Sequence, residues 1–353
     1  MRRILLTLTG IFLLFLLWLF RPDPTPLAFD LPESLPEAGF TVEQAEKAIR
    51  DSELRAGPLK ADNHARIYWN PEYAHSQAPC AIVYLHGFSA THSEGSPLHV
   101  RMARSLGCHL YLTRLHGHGL RSGPLPDRVL DEYHEEGRRS GTPEPLYDFH
   151  PDSLLHSVGH ALSVGTLLGE EVILMGTSMG GMLALYLAAR FPESVDMLVL
   201  LSPLISFSPG PFRYFDRPWF QRIMRLYLGG HLIEQTPAND DHRRYWYMNY
   251  HIRSLMELKH IKSTLVSHTI LSNVTQPVFT GYYFKDEKNH DKVVSVSAIK
   301  DLEMRISTPE KHRAFRAFPR AGQHVIASSH RSEDFSKVEK EVFKFLYRRL
   351  DQE

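Results

Sequence analysis

Residues 171 to 190 read E-V-I-L-M-G-T-S-M-G-G-M-L-A-L-Y-L-A-A-R, and this stretch leaves the backbone few choices. Glu171 to Met175 is a short apolar run of the kind a buried parallel strand needs, and Met179 to Arg190 is rich in Ala, Leu and Met, as a packed helix should be. Ser178 stands at their junction, on a sharp turn. Gly176 and Gly180, two places before and after it, make room for strained backbone and let strand and helix approach closely, which pushes the hydroxyl out at the carboxyl end of a sheet. The pentapeptide G-x-S-x-G arises by chance in about one chain in ten of this length, so its setting carries the argument. A nucleophile is the reading the setting favours; a small residue in a glycine turn is the plain alternative.

The same alternation of strand and helix extends along the chain. A capping-box signal, T-V-E-Q from Thr41, opens a helix over A-E-K-A-I-R. Strand-like A-R-I-Y-W, A-I-V-Y-L and H-L-Y-L-T follow, with the helical P-L-H-V-R-M-A-R-S-L between the last two and a helix expected over 152–168. Beyond Ser178 come D-M-L-V-L-L-S-P, P-V-F-T-G-Y-Y-F and H-R-A-F-R-A-F, with helices after the last two. Such alternation predicts an α/β fold whose mostly parallel, doubly wound sheet is covered on both faces and takes its ligands at the carboxyl ends of the strands. One stretch departs from this rhythm: eleven of the 44 residues from Phe207 to Tyr250 are aromatic, against 11% of the chain. This predicts a helical cap insertion at about 203–275, an apolar roof that suits an apolar substrate.

Forty basic side chains balance forty acidic ones, so no overall field exists to hold nucleic acid. The two cysteines, Cys80 and Cys108, each begin an apolar run, and buried free thiols are expected over a disulfide. Arg2 and Arg3 precede a charge-free run from Ile4 to Phe20, with no small-x-small cleavage site after it. Residues 1–21 therefore read as a transmembrane anchor, with a cleaved signal segment as the alternative, and the arginines would stay cytoplasmic with the rest on the exported side. Residues 22–40 read as a proline-rich linker, and 41–353 as the folded domain.

A serine hydroxyl needs a base, and the base needs a carboxylate to hold its tautomer. Among 21 histidines position discriminates: His324, in F-P-R-A-G-Q-H-V-I, follows the last strand and precedes the final helix, whereas His330 falls in a polar helix start. The oxyanion donors expected are the N–H groups of Phe88, in the loop I-V-Y-L-H-G-F, and of Met179.

Taken together, L-H-G-F, R-L-H-G-H-G, G-T-S-M-G-G, D-K-V-V and G-Q-H resemble the α/β-hydrolase superfamily, nearest the branch that includes monoacylglycerol lipases and serine aminopeptidase-like hydrolases. The resemblance runs from about residue 65 to the end and is weakest in the insertion. It implies a Ser-His-Asp ester or amide hydrolase without a cofactor. For the acid, the strand length from Pro277 points to Asp286, while the pair Val293 and Val294, which in relatives follows the acid after one residue, points to Asp291. Asp291 is preferred, because Lys285 to Lys288 reads as solvated surface whereas Asp291 abuts the valines that should bury it. Within the family, six arginines of the insertion, Arg213, Arg217, Arg222, Arg225, Arg243 and Arg244, speak against recognition of an amine and for a carboxylesterase or lipase over a peptidase. Two other readings stay open. A metal site at His116 and His118 lacks an H-E-x-x-H and a neighbouring aspartate, and a membrane-tethered binding protein would need a triad member to be lost.

Overall fold

Strands and helices follow one another much as the hydrophobic pattern requires in the structure, a computed structural model that describes residues 2–20, 28–56, 59–120, 149–210, 214–215, 217–230 and 232–350. The helices in chain order are α1 (Arg2–Phe20), α2 (Ala45–Arg55), α3 (Leu98–Leu106), α4 (Pro151–Leu168), α5 (Met179–Arg190), α6 (Pro218–Leu228), α7 (Asp240–Tyr245), α8 (Ile252–Leu265), α9 (His268–Leu271), α10 (Val296–Arg305) and α11 (Phe335–Leu350). The strands are β1 (Arg66–Tyr68), β2 (Ala78–Leu85), β3 (His109–Leu112), β4 (Gly169–Thr177), β5 (Met197–Leu201), β6 (Leu232–Glu234), β7 (Asn249–His251), β8 (Val278–Tyr282) and β9 (Arg313–Ala317). At Thr41 the Gln44 side chain accepts from the Thr41 N–H at 3.3 Å, and a short 3-10 turn leads into α2.

Seven strands form one sheet in the order β1-β3-β2-β4-β5-β8-β9. Only β1 runs antiparallel to its neighbour. Both faces are covered, so strand residues alternate between two cores. In β2, Ala81, Val83 and Leu85 pack with residues of α4 and α5, while Ile82 and Tyr84 pack with residues of α3 and α11. Each fully buried aliphatic side chain stabilises the fold by about 1.5–3 kcal/mol, and the central strands carry almost nothing else.

Between β5 and β8 the chain carries an insertion that is not wholly helical: β6 and β7 form an antiparallel ribbon among α6, α7, α8 and α9. The ribbon pairs Leu232 with His251 and Ile233 with Tyr250, joining stretches too short to show a strand period in the sequence. The insertion is tied to the loop after β2, where the Tyr247 N–H donates to the Ser89 carbonyl at 2.8 Å. Arg213 lies outside the described residues.

Two expectations require correction. Cys80 and Cys108 form a disulfide rather than two free thiols, with Cα atoms 4.7 Å apart. The reason is register: β2 and β3 are parallel neighbours with Ala81 opposite His109, which sets the preceding residues, Cys80 and Cys108, side by side. Gly107, in the left-handed conformation at φ 71°, ends α3 and turns the chain into Cys108.

The second concerns the expected anchor. Residues 2–20 are helical, but among the described residues no helix is long and apolar enough to cross a membrane, so an anchor and an exported hydrolase domain are without support. The side chains up to residue 8, the last residue of the expected anchor, 21, and residues 22–27 of the expected linker lie outside the described residues. The last turn of α1 rests on the protein: Leu19 is buried, its carbonyl accepts from Arg222 Nη1 at 2.6 Å, and the Arg222 guanidinium lies 5.9 Å from the Trp18 ring centre. The end of this helix thus packs against α6 of the insertion.

Replacing Cys80 and Cys108 together by alanine removes a cross-link spanning 28 residues. The unfolding free energy without reductant should fall by about 2–4 kcal/mol. Urea denaturation of parent and double variant measures this, and equal midpoints would contradict a native bridge.

Candidate active site

The junction of β4 and α5 is as tight as the two glycines imply. Ser178 has φ 54° and ψ −118°, a conformation that L-residues rarely adopt and that persists only where the surroundings over-determine it. The surroundings do so from three sides. A Cβ on Gly180 would lie 1.9 Å from the Leu85 carbonyl oxygen, and one on Gly176 would lie 2.4 Å from the Gly180 carbonyl oxygen, so neither position admits a side chain. The Ser178 N–H donates to Leu201 O at 3.0 Å, and its carbonyl accepts from the Leu204 N–H at 2.9 Å. The serine is thereby fixed between the ends of β2 and β5.

His324 reaches the same end of the sheet from the loop after β9. Its carbonyl accepts from Ser202 Oγ at 2.8 Å, one residue beyond the partner of the Ser178 amide. Its Nδ1 lies 2.6 Å from Asp291 Oδ2. Its Nε2 is buried and has no hydrogen-bond partner among the described residues. Asp291 is fully buried, and its other oxygen accepts from the N–H groups of Val293 at 2.8 Å and Val294 at 3.1 Å. The two valine amides thus aim the carboxylate at the ring.

Asp286 is placed quite differently: it is exposed and folds back on its own turn, accepting from the Lys288 and Asn289 amides at 2.9 and 2.8 Å. His330 is likewise at the surface, 3.7 Å from Asp241. Of the residues considered from the sequence, the structure therefore brings Asp291 and His324 together and keeps Asp286 and His330 apart from them.

The electrostatics follow from this burial. Taking the His324 ring out of water opposes its charge, but the Asp291 carboxylate, through its field and hydrogen bond, outweighs that cost and raises the pKa above 6.5. Burial works against the Asp291 charge as well, yet His324 and the two valine amides hold its pKa below the ordinary aspartate value.

The loop after β2 supplies Phe88. Among the described residues, neither the Phe88 nor the Met179 N–H donates to a protein acceptor, while the amides on either side of Phe88 are used: Gly87 N–H donates to Glu94 Oε2 at 2.6 Å, and Ser89 N–H to His118 Nε2 at 3.2 Å. His118 is fully buried, with Nδ1 2.8 Å from His116 O and its ring against those of His86 and Phe88. Its loop is braced by Arg114, whose Nη1 donates to His118 O at 3.1 Å and whose Nε and Nη2 grip Glu53 at 2.7 and 3.0 Å. Among the described residues no cluster of His, Cys, Asp or Glu could hold a metal ion. The Phe88 ring meets Phe149 and Tyr250 at 5.2 and 5.3 Å, edge to face, giving that side of the site an apolar wall. A cavity of about 810 Å³ lies elsewhere, between α2 and α4, and its lining includes neither Ser178 nor His324.

Sequence reasoning missed Glu94, which is buried at 2% exposure beside the Gly87–Phe88 turn. Its only signal was a carboxylate in H-S-E-G shortly after L-H-G-F, where nothing local marks it as buried.

A family model for the alpha/beta hydrolase fold matches residues 81–272, more than half of the chain. Solved structures with the same fold include one from the metagenome-derived lipolytic enzymes LipS and LipT, at 14% identity and TM-score 0.58, covering 82% of this chain and 99% of that one. Another is the monoacylglycerol lipase of Paleococcus ferrophilus, at 15% identity and TM-score 0.52, covering 80% and 97%. A soluble variant of the monoglyceride lipase of Saccharomyces cerevisiae, in complex with a substrate analog, matches at 16% identity and TM-score 0.50, covering 80% and 90%. No curated protein sequence matches. With the elbow, the sheet order and the matched residues in agreement, the chain belongs to the alpha/beta hydrolase fold family.

Proposed function

We propose that this protein is a serine hydrolase that cleaves carboxylic esters with an apolar acyl group through an acyl-enzyme. The observation that carries this reading is the Asp291–His324 pair, hydrogen-bonded at 2.6 Å, at the same end of the sheet as a serine held at positive φ. Ser178 Oγ attacks the ester carbonyl carbon as its proton passes to His324 Nε2. Asp291 keeps the other ring nitrogen protonated and stabilises the imidazolium that forms. The tetrahedral oxyanion accepts hydrogen bonds from the Phe88 and Met179 N–H groups. Collapse expels the alcohol, which takes the proton from His324. Water then attacks the acyl-enzyme by the same route, giving its proton to His324, and the acid is released with Ser178 restored. No cofactor takes part.

Support for an apolar ester comes from the aromatic wall around Phe88 and from the lipolytic activity named for similar folds. 4-Nitrophenyl esters of increasing acyl length, run beside aminoacyl 4-nitroanilides, separate an esterase from a peptidase of the same fold. Turnover of the anilides alone would overturn the ester assignment.

Ser178→Ala should lower kcat by about a thousandfold or more, and a fluorophosphonate probe should label the parent and not the variant. Labelling of both to the same extent would remove Ser178 from the reaction.

Asp291→Asn keeps the shape but presents the wrong partner to His324 and should cost about ten-thousandfold in kcat, whereas Asp286→Asn should stay within about twofold. Steady-state kinetics on one ester compares them, and the reverse order would transfer the role to Asp286.

Activity requires neutral His324, whose pKa is raised, so kcat/KM should fall as the pH drops and reach half its plateau above pH 6.5. The residual activity of Asp291→Asn should reach half its plateau at a lower pH, because the group that favours the imidazolium is gone. A profile rising with acidity would contradict a histidine base.

A further inference from the structure

Glu94 is a buried carboxylate beside Ser178 that the mechanism above leaves without a task. It sits on the 3-10 turn His92–Gly95, which closes onto β2 because Gly95 has no side chain: a Cβ there would lie 2.4 Å from the Tyr84 ring. The turn delivers the carboxylate to the Gly87 N–H at 2.6 Å, the short distance of a charge-assisted bond. The carboxylate and the nucleophile flank the same glycine, since a Cβ on Gly87 would meet Glu94 Oε1 at 2.8 Å and Ser178 Cβ at 3.2 Å. The next amide along the chain is that of Phe88.

We propose, resting on the serine hydrolase reading, that Glu94 is a positioning residue of this site: its carboxylate fixes the Gly87–Phe88 turn that presents an oxyanion donor, and its charge, felt by His324, sets the pH range in which that histidine is an effective base. The titratable groups packed around it are Tyr84 on β2, His86 just after that strand, His99 on α3, His92 on its own turn, and His324 with Asp291 behind it. Most of these do not change charge near neutrality. Burial pushes His86 and His92 down to about 3 and His99 down to about 4, and pushes the Tyr84 phenol well above 10. The bond to His324 holds Asp291 ionised. Glu94 and His324 are left to titrate together: burial pushes Glu94 up to about 7 against the pull of the Gly87 N–H, and His324 lies above 6.5. Ionised Glu94 adds a second negative charge near the ring and favours the imidazolium that forms as Ser178 attacks. Removing that charge must lower the His324 pKa, not raise it.

The test compares the parent, Glu94→Gln and Glu94→Asp on one 4-nitrophenyl ester between about pH 5 and 9, with fluorophosphonate labelling rates measured alongside. Glutamine keeps an acceptor for the Gly87 N–H but no charge. Its kcat should fall on the order of tenfold, the effect of about one pKa unit at the base, with KM within about twofold and the ascending limb narrowed to one ionisation and moved to lower pH. Aspartate keeps the charge but is one methylene short of Gly87, so kcat should fall while the two-ionisation limb remains. A merely structural role would lower thermal stability in both variants and leave the limb unchanged, and that result would overturn the proposal. If the glutamine variant does not fold, parental kcat in the aspartate variant overturns it as well. A parent that resists the probe at every pH sinks the hydrolase reading and this one together. A parent that is labelled, with variants that match it, sinks this one alone.

Discussion

The start of α5 lies against the end of β2, and the rest of the site is built outward from that contact. The Leu85 carbonyl oxygen occupies the place where a side chain at position 180 would be, so the helix can begin there only with glycine. The register of β2 on β4, with Leu85 opposite Gly176, brings the two backbones to this point. Once they meet, the single residue between strand and helix must turn through a left-handed conformation, and the Leu201 and Leu204 backbone groups on the other side hold it there. The strain at Ser178 is therefore stored in the sheet as a whole, which is why the serine can stand rigidly at the edge of the strands.

That rigidity has an electrostatic counterpart. The site is withdrawn from solvent, with Ser178, His324, Asp291, Glu94 and His86 all buried or nearly so. In so poor a solvent a charge persists only where a partner holds it. Asp291 has three such partners and stays ionised, whereas His86, His92 and His99 have only weak ones and stay neutral. The neutral histidines act as shaped hydrogen-bonding wedges. His86 Nε2 accepts from the Leu115 N–H at 3.1 Å and His118 accepts from Ser89, so the loops after β2 and β3 are locked to one another without adding charge near His324. Both ring nitrogens of His86 and of His118 are committed to backbone groups.

Much of this was legible locally. The helix from Met179 to Arg190 has the bounds its composition suggested, β3, β5, β8 and β9 fall within the runs that announced them, and β2 contains its run; in β2, β3, β5 and β8 burial on both faces is what makes the run continuous. Asp291 was preferred for its neighbours Val293 and Val294, and their amides are what hold its carboxylate. What failed to show depended on partners distant in sequence. The Cys80–Cys108 bridge is a consequence of the β2–β3 register, which no short window contains. Glu94 looks like any surface glutamate until Tyr84 and Gly87 close over it. The first helix carried a membrane-like pattern in its sequence, but the feature visible in the structure is Arg222 reaching back to Leu19, a contact between residues about 200 apart. The β6–β7 ribbon, three residues on each strand, is too short for any period to register.

In the proposed reaction an acyl group passes through Ser178 on its way from ester to water. Mass spectrometry of the intact protein, acid-quenched in the first turnovers of a slow 4-nitrophenyl ester and then mapped by peptide, reads that step directly. One added acyl mass is expected on the peptide that carries Ser178, appearing with the burst of nitrophenolate. Turnover of the ester with no acylated peptide, or with the acyl group on another residue, would contradict it.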